Sequence, residues 1–263
     1  MKTKTLQLWW QFTKRDIESR HKGSYLGVLW MMIGPLLEFA VYTIVFALIF
    51  RGRYGDVPTE TSATYALGIF LSLTLYRLVV ETMSVAPTVI VSQPNLVKKV
   101  VFPVQVLPLC SLGGILLRVG ISLLFFILGF LIWGPGLSMT NLWLPIVILP
   151  LIILSLGLAW LLAALGVFLR DISQVTGVLG IVILWSSAIF YSAKMVVEKE
   201  PLIWSFLRFN PLLHTIEDAR RVMLWQLPPG AGSLVYAWIF ALLIAWLGHA
   251  TFRKLRPAFA DVI

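Results

Sequence analysis

The chain has 263 residues, of which 59% are hydrophobic and 13% charged, with a mean hydropathy of +0.90 and a formal net charge of +9. So few charges cannot clothe a soluble core of this size and disorder needs the opposite balance, so the composition specifies a polytopic membrane protein. The lone cysteine, Cys110, excludes a disulfide-built secreted domain, and basic residues flanking apolar runs are what membrane insertion requires, so the charge argues for no nucleic acid partner.

Residues 1–28 read as a cytosolic N-terminal segment. They hold six basic side chains (Lys2, Lys4, Lys14, Arg15, Arg20, Lys22) and no apolar run ending in a small-residue cleavage site, so they are not a signal peptide. Leu6, Trp9, Trp10 and Ile17 fall near one helical face, with Lys14, Asp16 and Glu18 elsewhere. Tryptophan beside lysine suits a helix lying in the headgroup layer; a frayed polar terminus is the alternative.

Crossing a bilayer core of about 30 Å takes about 20 apolar residues. Within residues 29–252 six runs meet that length approximately: Leu29 to Phe50, Ala66 to Ala86, Val104 to Trp133, Leu142 to Leu169, Gly177 to Ala193 and Leu234 to Phe252. Pro108, Pro145 and Pro150 lie near ends of the third and fourth, where kinks are tolerated. Residues 253–263 follow as a cytosolic tail. With both termini inside, twelve basic residues face the cytoplasm and seven the outside, while Arg77 and Arg118 lie within spans.

The connections carry their own signals. Ser92 to Pro103 (SQPNLVKKVVFP) begins like a helix and stops at a proline, giving a short cytosolic helix that is either a solvated connector or a docking knob for a soluble partner. Arg170 closes the fourth run and Asp171 opens the fifth, each complementing the helix end it occupies. The external segment from Glu198 to Leu227 alternates charge with apolar residues and breaks at Asn210-Pro211, an N-cap followed by a first helical proline. It predicts two short amphipathic helices, too short to span, that lie at the outer surface or re-enter it. Their apolar faces, including Trp204, Phe206, Leu213 and Ile216, are expected against the outer ends of the spans.

Enzymatic chemistry is sparse. No G-x-x-x-x-G-K-[ST] occurs, so no P-loop cradles a nucleotide, and histidines at 21, 214 and 249 with one cysteine supply no zinc spacing. His214-Thr-Ile-Glu-Asp218 is an H-x-x-x-D string used by some acyltransferases, but a helix exposing His214, Glu217 and Asp218 on its polar side accounts for it. Charges inside spans say more, because an ionisable group there is costly and normally faces protein or a wet cavity. Arg77 and Glu81 are four apart on one face and are expected to neutralise each other, either as a structural pair or in a polar pathway wall. Glu38 and Arg118 are partners across helices or lie near span ends. Abundant span aromatics, Tyr42 among them, are packing and interface belts or line a passage on which sugar rings slide.

RHKGSYLGVLWMMIGPLLE at 20–38, NLVKKVVFPVQVLP at 95–108, GVFLRDIS at 166–173 and RFNPL at 208–212, in that order against six spans, carry a resemblance over almost the whole chain. The chain resembles the permease subunit of type-two ABC polysaccharide exporters, which serve O-antigen, capsule and teichoic acid. The resemblance implies an all-α integral membrane fold: six transmembrane helices, an N-terminal interfacial helix, a cytosolic coupling helix and two external re-entrant or gate helices. It implies a homodimer in the inner (cytoplasmic) membrane, paired with two copies of a cytosolic ABC ATPase that holds the ATP and magnesium, this chain holding no cofactor, and moving a lipid-linked polysaccharide. Coupling then falls to Asn95, Leu96, Lys98, Lys99, Arg170 and Asp171, the intramembrane polar path to Glu38, Tyr42, Arg77, Glu81 and Arg118, and the external gate to Trp204, Phe206, Asn210, Pro211 and His214. His214 departs from the aromatic or proline-containing stretch that often follows this Asn-Pro. Two rival readings remain, a small-hydrophobe or drug exporter of the same superfamily and an integral membrane acyl- or glycosyltransferase.

Overall fold

The computed structural model describes residues 9–15, 25–50, 52–55, 57–58, 60–98 and 103–263, and contains no strand among them. Residues 9–15 form α1. Then follow α2 (Trp30–Tyr42), α3 (Ser62–Val85), α4 (Pro94–Lys98), α5 (Val106–Trp133), α6 (Leu144–Phe168) and α7 (Ile172–Ser186). The remaining helices are α8 (Ala193–Lys199), α9 (Pro201–Leu207), α10 (Pro211–Met223), α11 (Ala231–Leu255) and α12 (Phe259–Val262). Among the described residues, Ser62–Thr88, Val106–Trp133, Met139–Phe168 and Ala231–Val262 are long and apolar enough to cross a membrane, and Trp30–Phe46 and Ile172–Ser186 are apolar but shorter. The protein is therefore a multi-pass helical membrane protein.

α3, α6 and α11 end at the end of the bundle where α5 begins. One end of the bundle gathers Val89, Val104, Leu107, Val167, Phe252 and Phe259 into an apolar cluster beneath α4. The other end gathers Tyr54, Tyr65, Ile189, Leu212, Ile216 and Trp225. Between them α3 is the axial helix, buried at every residue from Thr64 to Leu75. Its start is fixed by a Thr61–Thr64 capping box, and its hydroxyls bond back to their own helix, Ser72 to Gly68 O (2.6 Å), Thr74 to Phe70 O (2.8 Å) and Thr82 to Leu78 O (2.6 Å). Polar side chains can thus sit in an apolar core without an orphaned donor.

Helices in lipid gain no hydrophobic free energy from meeting each other, so close packing of small residues has to hold them. The α6–α11 crossing does this through Gly157 and Gly248: a Cβ on Gly248 would lie 2.1 Å from the carbonyl oxygen of Gly157. Gly166 is equally tight, with Pro87 O 2.1 Å from where its Cβ would be.

Two segments differ from expectation. The helix of the fifth run spans Ile172–Ser186 rather than Gly177 to Ala193; at ~1.5 Å per residue its 15 residues reach only about 22 Å. It stops because the Ser187 hydroxyl turns back to Ile183 O (2.6 Å) and Ala188, fully buried, takes φ +52°, a left-handed conformation that ends a helix. The first run is helical as expected but passes at Thr43–Ile49 into π-helical winding. The external segment contains the two short helices anticipated, α9 and α10, with α8 immediately before them.

The amino-terminal helix docks through Trp9 and Thr13, not through both tryptophans. Trp9 donates its indole N–H to Leu109 O (3.0 Å) and Thr13, 2% exposed, bonds Cys110 O (3.4 Å), both against Gly113 on α5. Trp10 stays 59% exposed. Leu6, Ile17, Asp16 and Glu18 lie outside the described residues.

Candidate functional site

At the α4 end, Leu96 and Val97 pack on the apolar cluster while Asn95 and Lys98 remain exposed. This is how a five-residue helix with one apolar edge must sit; Lys99 lies outside the described residues. Arg170 and Asp171 are exposed in the turn between α6 and α7, with Asp171 at the N-cap of α7. A cleft of about 250 Å³ joins the two loops, lined by Pro87, Val91 and Ser92 on the approach to α4 and by Gly166, Arg170 and Ser173 beside the turn. Lys98 and Arg170 thus stand on the same end of the bundle.

Along the bundle, α2, α3 and α5 bring the four intramembrane charges into one group. The pairing differs from the intrahelical one anticipated: Arg77 pairs with Glu38 across to α2, and Arg118 pairs with Glu81 across from α5 to α3. The i,i+4 spacing allowed Arg77 and Glu81 to pair, but each long side chain reaches a carboxylate on a neighbouring helix, and two pairs discharge four charges. A cavity of about 170 Å³ adjoins them, with Trp30, Thr74 and Ser122 in its walls. Tyr42 is half-buried and begins a row of rings in which Tyr42 stacks on Phe46 (6.1 Å) and Phe46 on Phe190 (5.3 Å), with Trp185 next (5.7 Å).

At the opposite end α10 is the organising element. Asn210 caps it through Leu212 N (3.0 Å), Pro211 fills the first turn, and the Asn210 amide also donates to Ser186 Oγ and Ser187 Oγ (3.0 Å each). One side chain therefore starts α10 and ties it to the end of α7. The last carbonyls of α10 are met from the α5–α6 loop, where Thr140 and Asn141 donate to Val222 O (3.0 and 2.9 Å). Leu213 and Ile216 are buried as expected. Trp204 is half-buried against Leu213, but Phe206 is 73% exposed, contrary to expectation. Seven-residue α9 is too short to turn more than one edge inward, and Leu202, Ile203 and Phe206 face outward.

The polar face anticipated for His214, Glu217 and Asp218 is not solvated. Asp218 is 3% exposed and accepts from Gly230 N (2.8 Å) and Ser233 Oγ (2.6 Å), capping the start of α11. Burial pushes its carboxyl above the ordinary range, against the pull of those two donors and of Arg221 and His214. His214 is half-buried, with Nε2 2.7 Å from Arg208 O and its ring edge-on to Tyr236. Both groups hold α10 in place, His214 against Arg208 O and Asp218 at the start of α11. Among the described residues no three His, Cys, Asp or Glu side chains gather as a metal site.

Sequence reasoning missed the residue on which this end turns. Arg220, within the segment read from sequence as external, is fully buried. It pairs with Glu217 (2.5 Å), donates to Tyr191 O (3.4 Å), and lies 4.2 Å from the Tyr54 ring and 5.8 Å from that of Trp225. Tyr54 in turn donates to Ile189 O (2.8 Å). The i,i+3 spacing of Glu217 and Arg220 was legible; of the rings that cover the guanidinium, Trp225 lies just past the helix end and Tyr54 comes from a distant loop that leaves no local signal.

Comparison with known proteins agrees with this anatomy. The profile of the ABC-2 type transporter family matches residues 7–224. The O-antigen export system permease protein RfbA of Klebsiella pneumoniae is 26% identical, over 95% of this chain and 93% of the relative. That of Myxococcus xanthus is 24% identical, over 95% and 93%. The polysialic acid transport protein KpsM of Escherichia coli is 24% identical, over 93% and 92%.

Proposed function

From the membership of this chain in the ABC-2 type transporter family, we propose that it is the membrane-spanning subunit of an exporter of lipid-linked polysaccharide, O-antigen foremost. Two copies of the chain form the passage, and ATP is hydrolysed with magnesium on two copies of a separate ATPase chain. The observation that carries this reading is likeness along nearly the full length to O-antigen export permeases. The basic-residue asymmetry supports both termini in the cytoplasm and an inner-membrane location, which puts α4 and Arg170 on the ATPase side and α10 at the outer mouth.

In this reading α2, α7 and the short helices α4 and α8–α10 complete six spans, a coupling helix and an external gate. Asn95 and Lys98, with Lys99, Arg170 and Asp171, meet the ATPase, and Leu96 anchors that helix to the bundle. The neutral pairs of Glu38, Arg77, Glu81 and Arg118, and the ring row from Tyr42, offer a wall with little net charge, suited to a long polyhydroxylated chain. The transferase alternative loses ground because Asp218 is consumed as a cap.

The test is a chromosomal deletion. Lipid-linked glycan should accumulate on the cytoplasmic side and disappear from the surface, and the chain supplied in trans should restore it. Normal surface glycan in the deletion strain, with cells instead sensitised to small hydrophobic compounds, would transfer the function to the drug-exporter alternative.

A further inference from the structure

Three separate chain segments close a cavity of about 310 Å³ at the α10 end: Glu60, Thr61 and Thr64 at the start of α3, Trp133 and Pro135 at the end of α5, and Trp225 and Gln226 just after α10. We propose that this cavity is a binding subsite for one neutral sugar unit of the exported glycan, an inference that rests on the export reading. Its lining combines two indoles with a carboxylate, a carboxamide and two hydroxyls and, among the described residues, includes no Lys, Arg or His. Indole faces pack on the C–H faces of a sugar ring, while carboxylate and amide oxygens accept from its hydroxyls. Among the described residues a phosphate or uronate would meet a carboxylate and no cation. The volume lies near the low end of the roughly 300–1,000 Å³ of ligand pockets, enough for a ring or two and not for a polymer segment.

The polar groups are held in place and still have capacity. Glu60 is 6% exposed, and its two oxygens accept Tyr54 N (2.9 Å) and Gly55 N (2.7 Å), each oxygen keeping a second lone pair. Among the described residues it forms no ion pair, so its charge is held by backbone donors and by its place one residue before the α3 N-cap. Gln226 takes φ +54°, which side chains rarely adopt, and its Nε2 donates to Pro135 O (3.1 Å) and Gly136 O (3.4 Å), leaving Oε1 as an acceptor. Arg220, sealed from solvent behind the wall, orders Tyr54 and Trp225 without entering the cavity. Under the proposed orientation the site lies at the outer mouth, where a weak hold on one unit at a time would bias the chain outward without stopping it.

The experiment uses the permease with its ATPase in phosphatidylcholine nanodiscs, free of glycoside detergents, and reads saturation-transfer NMR on the methyl glycosides of glucose, mannose, galactose and rhamnose. Two variants spare the fold: Trp133→Leu alters a residue 52% exposed, and Gln226→Gly relieves a left-handed residue. At least one glycoside should bind the wild type and weaken about tenfold in each variant, equivalent to about 1.4 kcal/mol, with excess inorganic phosphate making no difference. No binding to the wild type, or binding by both variants as tight as by the wild type, would overturn the subsite, and displacement by phosphate or glucuronate would make it an anion site. Loss of glycoside binding in phosphatidylglycerol nanodiscs would assign it to a lipid headgroup instead. These failures are separate from failure of the export reading, which is decided in cells by where the glycan accumulates.

Discussion

Gly248→Ala places one methyl group where the structure has no room. Its Cβ would lie 2.1 Å from the Gly157 carbonyl oxygen and 2.9 Å from the Gly157 carbonyl carbon. An ordinary carbon–oxygen contact is about 3.3 Å, so α6 and α11 must part locally by about 1.2 Å. The obstacle is backbone on both sides, since a Cβ on Gly157 would in turn meet Ala245 Cα at 2.6 Å. No rotamer change can relieve it. Overpacking of this kind costs about 1–3 kcal/mol, and a radial gap of about 1 Å forfeits up to about half the dispersion of the contacts beside it. Alanine restores about 0.8–1 kcal/mol of helix propensity, so net destabilisation of about 1–2 kcal/mol is expected. Gly120 and Gly177 have nothing within 4 Å of an added Cβ, and alanine there should be neutral or stabilising. Unfolding in mixed micelles, followed by loss of monodisperse protein against denaturant, compares the three variants. A Gly248→Ala protein as stable as Gly120→Ala would refute the close crossing.

Further perturbations address the two ends and the middle. Arg220→Met strips the partner from Glu217 and the cation from Tyr54 and Trp225; breaking a buried pair costs about 3–5 kcal/mol, and amide exchange across Pro211–Met223 should accelerate while that of α3 does not. Equal protection in wild type and variant would show the clamp to be idle. Lys98→Glu should lower co-purification of the ATPase and leave membrane insertion unchanged, since Lys98 is exposed on α4; an unaltered yield would reduce it to a positive-inside anchor. Exchanging Glu38 and Arg77 together should restore the stability that Glu38→Arg alone removes, because their partner is across α2 and α3. Rescue of Glu38→Arg by Arg118→Glu instead would favour the intrahelical pairing of Arg77 with Glu81, which leaves Arg118 to Glu38. His214→Ala should leave glycan export nearly intact, and selective loss of function with normal assembly would revive transfer chemistry at this helix.

Several parts of this molecule were readable along the chain because their causes are local. Apolar runs of membrane length report themselves through composition, and Asn210-Pro211 announces the start of α10 because an N-cap and a first-turn proline act within three residues. The fifth run was carried seven residues past the end of its helix because hydropathy is blind to the left-handed turn at Ala188 and to the hydroxyls of Ser186 and Ser187, which belong to a network with Asn210. Phe206 was assigned inward by periodicity, which identifies an apolar face without saying whether anything covers it.

The choice of partners required the folded chain. Glu38, Arg77, Glu81 and Arg118 were visible as costly charges from hydropathy alone, yet two pairings satisfy their neutrality, and only the placement of α2 and α5 around α3 selects the cross-helix one. Asp218 and Arg220 look like surface charges on an amphipathic helix because a sequence assigns polarity to a face without showing what lies against it. The start of α11 meets the first, and Tyr54 and Trp225 enclose the second, from positions 12 to 166 residues away or a few residues past the helix end. Desolvation and pairing depend on distance through space, and a linear pattern carries that information only where neighbours in space are also neighbours along the chain.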